Sequence, residues 1–111
     1  MNNALEARLA ELVALQQTIS YGQLAKDLAI PGPGSIAKLT AALETLMEAD
    51  AATNRPFRAA LCAARLCNDL PAQGFFDKAT ALGRFKDADP TAFVQAERRA
   101  LWSQTVSQKQ P

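Results

Sequence analysis

Leu5, Leu9, Leu12 and Val13 recur at three- and four-residue steps, with Glu6, Arg8 and Glu11 between them. This spacing gathers the apolar side chains on one helical face and predicts an amphipathic helix over 4–17, with Asn2 or Asn3 as its cap. Thr18 and Ile19 interrupt the pattern. Ser20 then offers a cap to a shorter helix from Tyr21 to about Ala29 that buries Leu24, Ala25 and Leu28. The run Pro31-Gly32-Pro33-Gly34 demands a turn, since proline fixes φ and lacks a donor while glycine admits unusual backbone angles. A third helix, capped by Ser35 and reaching about Ala51, lines up Ile36, Leu39, Leu43, Leu46 and Met47.

Beyond Asn54-Arg55-Pro56 the pattern is ambiguous. The segment from Arg58 to Cys67 is rich in alanine, which favours helix. It is also short, follows a proline and ends in the turn signal Asn68-Asp69-Leu70-Pro71. The reading adopted is a strand around 58–66 returning toward a short partner. From Gly74, a short helix buries Phe75, Phe76, Ala79 and Leu82 and stops at Gly83. Asp89 caps and Pro90 starts a final helix to about Val106, presenting Phe93, Val94, Leu101 and Trp102.

Composition narrows the chemistry. The 111 residues are 49% apolar but only 6% aromatic, so the core must rely on close helix contacts. Twelve Lys and Arg against eleven Asp and Glu leave a net charge of +1, far from the basic excess of a domain held by phosphate attraction. The chain has no histidine, so neither a Ser–His nor a Cys–His nucleophile can be assembled, and no histidine can ligate zinc. Cys62 and Cys67 are too few for a structural zinc site and read as two buried thiols. No acid pair, metal cluster or phosphate loop stands out; PGPG lacks the following Lys-Ser/Thr. The expectation is a protein that is not an enzyme and has no cofactor or metal. Acids within MNNALEARLAEL argue against a signal peptide, and no apolar run nears the roughly 18 residues that span a bilayer. A cytoplasmic location, away from any membrane, follows as an expectation.

The stretch SYGQLAKDLAI, turn, GSIAKLTAALETL resembles the paired helices of winged-helix DNA-binding proteins over roughly 5–67. SYGQLA is also similar to the TYGELA run of the alkylguanine-DNA alkyltransferase-like family. That family follows its helices with a reactive Pro-Cys-His-Arg motif, where this chain has Leu61-Cys62-Ala63-Ala64-Arg65. The resemblance implies a mainly α fold: a winged helix-turn-helix with a small β-hairpin and additional C-terminal helices. It implies a single domain over 1–111, with helix-turn-helix plus wing over 1–67 and a helical extension over 68–111. It further implies that the third helix lies in the major groove of double-stranded DNA. Ser35, Lys38 and Thr45 would then face the duplex, and Arg55, Arg58 and Arg65, with no acid between Asp50 and Asp69, would meet phosphates from the wing. Each arginine is read equally as solvating the wing or pairing with Asp50 or Asp69. The expected function is DNA binding, for instance as a transcriptional regulator. The alternative is a winged-helix module for a protein partner, suggested by the neutral, alanine-lined helix face.

Overall fold

In the computed structural model, residues 2–64, 69–86 and 89–109 are described. The chain is mainly helical. Helix α1 spans Asn2–Leu15, and strand β1, Ile19–Ser20, leads directly into α2, Tyr21–Asp27. Helix α3, Ser35–Ala52, is followed by a 3-10 turn over Arg58–Leu61 and strand β2, Cys62–Ala63. Helices α4, Gln73–Ala81, and α5, Pro90–Lys109, complete the order.

The helix starts follow local chemistry. Ser20 Oγ accepts from the Gln23 amide at 3.1 Å, which caps α2 as its sequence suggests. Asp89 Oδ2 accepts from the Ala92 amide in the same way at the head of α5. Helix α3 differs from expectation: Ser35 is its first residue, not its cap. The cap position belongs to Gly34, at φ 83°, with no side chain to accept from the first turn. The helix ends share one device. The Gln17, Ile30, Arg55 and Arg84 amides donate back to the Leu12, Ala25, Asp50 and Ala79 carbonyls. Each closure places the preceding residue in the left-handed region: Gln16, Ala29, Asn54 and Gly83.

The two strands pair parallel, Ile19 against Cys62 and Ser20 against Ala63. This corrects the expected hairpin. Among the described residues, β2 finds its partner not in its sequence neighbour but in the segment ahead of α2. Arg58–Leu61, expected as strand, is a helical turn, since Ala59, Ala60 and Leu61 must all be buried and a strand would expose alternate residues. Arg65, Leu66 and Cys67, part of the same expected element, lie outside the described residues.

Leu5, Leu9 and Leu12 of α1 meet Leu24, Leu39, Leu43, Leu46 and Met47 of the helix pair in one core, as the periodicity indicates. Phe57, fully buried, fills its other half with Phe75 at 6.0 Å and Phe93 at 6.4 Å, both edge-on. Helix α5 packs against α1 and the 3-10 turn. Its buried Arg98 holds the second half of the chain to that turn. It donates through Nε to the Ala60 carbonyl at 2.7 Å and through its other nitrogens to the Asp69 carboxylate and carbonyl.

Candidate nucleic-acid interface

Helix α3 presents two faces. Leu39, Leu43, Leu46, Met47 and Asp50 point inward. Ile36, Ala37, Lys38, Ala41, Thr45, Ala49 and Ala52 are exposed, and the rest of the fold leaves that arc bare. The first turn has no side-chain cap, so its leading amides point out toward solvent beside Ser35 and Lys38.

The structure divides the residues expected at the interface. Ser35, Lys38 and Thr45 share α3, with Lys38 in the first turn and free of any ion pair among the described residues. Thr45 is exposed, but its hydroxyl donates to the Ala41 carbonyl at 3.1 Å. Arg55 is exposed and unpaired among the described residues, yet it follows the far end of the helix, on the order of 25 Å from Lys38 at 1.5 Å per residue. Arg58 is engaged by acids instead of being presented to solvent. Its guanidinium donates to Asp50 at 2.8 and 3.1 Å and to Glu6 at 3.0 Å, tying together α3, α1 and the 3-10 turn. Burial lowers its pKa, while the hydrogen bonds and charge of Asp50 and then Glu6 raise it; the net shift is upward and Arg58 stays charged. Arg65 falls outside the described residues. Lys38, Arg55 and Arg58 therefore do not share one surface.

One residue of α2 belongs beside these, and the sequence carries no signal for it because no charge run marks it. Lys26 is exposed and unpaired among the described residues. Its acidic neighbour Asp27 is already engaged by Gln23 at 2.8 Å and Arg8 at 3.1 Å, contacts that hold its carboxyl below the usual range against a smaller desolvation cost. The acid nearest Lys26 in sequence is thus matched by α1.

Beside the outward arc lies a recess of about 90 Å³, lined among others by Tyr21, Thr40, Met47 and Phe75. Glu44 stands on its wall without a hydrogen bond or ion pair among the described residues. The Tyr21 hydroxyl accepts from the Ala72 amide at 3.1 Å, which pins the start of α4 against the start of α2.

The cysteine in the position that suggests a reactive thiol has the wrong surroundings. Cys62 is fully buried, and desolvation pushes its pKa up to about 12, with Arg98 pulling the other way to a lesser degree. At neutral pH it is a thiol, not a thiolate. In the folded protein Cys62 should resist iodoacetamide at pH 7 and become reactive in denaturant, as peptide mapping after timed alkylation would show. Rapid modification of folded protein at Cys62 would overturn this placement.

Among the described residues no cluster of three His, Cys, Asp or Glu side chains could hold a metal ion, and no helix is long and apolar enough to cross a membrane. Comparison with known proteins finds no matching family model, no matching curated protein and no matching solved structure.

Proposed function

We propose that this protein binds duplex DNA through α2 and α3 acting as a helix-turn-helix, with the parallel β1–β2 bridge standing where a wing would otherwise fix the helix pair. The observation that carries the reading is the first turn of α3: uncapped amides project together with Lys38, unpaired among the described residues, from the end of a helix whose outward face is mostly small apart from Ile36 and Glu48. A phosphate meets both the helix dipole and the lysine there. Alanines at 37, 41 and 49 allow close approach of the helix to a groove. The face carries no Arg, Asn or Gln for bidentate base readout, so binding is expected to be weak and tolerant of sequence. Regulation of transcription remains the broader role that such a domain would serve.

The expected signature is electrostatic. Lys26 and Lys38 with Arg55 supply two to three phosphate contacts, for a log–log salt slope of about −2 to −3. Replacing both lysines by alanine should flatten that slope by roughly two, because each contact contributes about 0.9, and should leave unfolding unchanged. Fluorescence anisotropy of a labelled random duplex, titrated at several salt concentrations, measures it. Absence of salt-sensitive binding by the unaltered protein at low ionic strength sinks the proposal. One observation favours a second reading: Ile36 is 44% exposed on the same arc, an apolar side chain better suited to a protein partner than to a phosphate backbone.

A further inference from the structure

The recess between α3 and α4 has a composition that duplex binding does not use. Its wall is apolar nearly throughout, formed by Leu43, Met47 and Phe75 below and Tyr21 to one side. The one charged residue on it among the described residues is Glu44. Every other acid of α3 is accounted for: Asp50 is bonded to Arg58, and Glu48 is paired with Lys78. Glu44 has no such partner among the described residues. Its Oε2 reaches across to the first turn of α4, 3.8 Å from the place a Cβ on Gly74 would occupy, yet no amide there donates to it.

We infer that this recess is a binding site for a small alkylammonium ligand, its hydrocarbon seated against Leu43, Met47 and Phe75 and its ammonium paired with Glu44. The apolar wall selects the hydrocarbon. The recess is open on one side and offers about 90 Å³, room to seat a short branched alkyl group. Charge selects the head group. A carboxylate at the rim of an apolar hollow attracts a cation, tolerates a neutral group and repels an anion. The inference is independent of duplex binding, since neither Lys26 nor Lys38 lines the recess.

Isobutylammonium, isobutanol and isovalerate share an isobutyl group and differ in the charge of the head attached to it, and each can be titrated into the full chain while the Met47 methyl resonance is followed by NMR. Isobutylammonium should bind about two- to fivefold more tightly than isobutanol, the gain expected of one partly exposed ion pair, and isovalerate more weakly than either. Glu44→Gln should bring the ammonium-to-alcohol ratio close to one while isobutanol still binds, which shows that the recess remains formed. Glu48→Gln, outside the recess, should leave the ratio unchanged. Equal binding of ammonium and alcohol by the unaltered protein, a preference that survives Glu44→Gln, or no response at Met47 to any of the three overturns the assignment.

Discussion

Asp50→Ala should lower the free energy of unfolding by about 3–5 kcal/mol, the penalty typical of breaking a buried ion pair from one side. The Asp50 side chain is only 1% exposed, and its carboxylate accepts from the Arg58 amide at 3.0 Å as well as from the guanidinium. Alanine leaves those donors facing a hole. Glu6 cannot take them over, because it already engages a different nitrogen of Arg58 from the more exposed side. A domain of this size has about 5–15 kcal/mol of stability in total, so the variant should be near its folding threshold at room temperature. Urea denaturation followed by circular dichroism gives the number. The double variant Asp50→Ala, Arg58→Ala should lose less than the sum of the two single losses, since it leaves no guanidinium stranded, only the residue 58 amide. A loss within 0.5 kcal/mol for Asp50→Ala, the range of an ordinary surface site, would contradict the buried network. The same network explains why Arg58 variants test stability rather than DNA affinity.

A comparable loss, about 3–5 kcal/mol, is expected for Phe57→Ala. The ring is fully buried, lies edge-on to Phe75 and Phe93, and carries the Arg84 guanidinium 4.3 Å from its centroid. Arg84 is held there by Glu97 at 3.0 Å and by the Arg55 carbonyl at 3.0 Å. Deleting the ring therefore opens a cavity under an ion pair while keeping the backbone contact from the Phe57 amide to Glu97. Phe57→Leu, which refills part of the volume, should recover part of the loss. The same denaturation experiment checks both, and a cost below about 1 kcal/mol for Phe57→Ala would mean that the ring is not the centre of the aromatic cluster.

The sequence is legible where structure is local. Periodicity of Leu5, Leu9 and Leu12 and of Leu39, Leu43 and Leu46 identifies two buried helix faces, and Ser20 and Asp89 mark helix starts by hydrogen bonds that span three residues. Three of the helix ends are obscure because their left-handed residues are Gln16, Ala29 and Asn54, where a glycine would have announced them. Phe57 belongs to no periodic run and carries no signal of its burial. The parallel bridge is hidden for a related reason: two residues are too short for an alternation pattern, and their partners lie on the other side of α2 and α3. At the candidate interface, the place of Lys38 on its helix is legible: it is exposed in the first turn of α3, where the apolar periodicity puts it on the outward side. For Arg58, the alternative its sequence position allows, pairing with Asp50, is the arrangement seen, and only the folded chain brings Glu6 to it as well.

The bridge also makes Cys62 a clock. Its thiol sits in the strand that closes a loop around both helices of the candidate interface, and the pairing that shields it joins segments far apart in the chain. Closing such a loop costs entropy that local helix formation does not, so the bridge depends on the whole intervening chain being in place. A reagent reaches the buried thiol only when the structure around it opens, and the bridge is part of that surround. The rate at which the residue is alkylated in native buffer thus includes openings of the helix pair's own frame, and a ligand that grips α2 and α3 together slows that share of it.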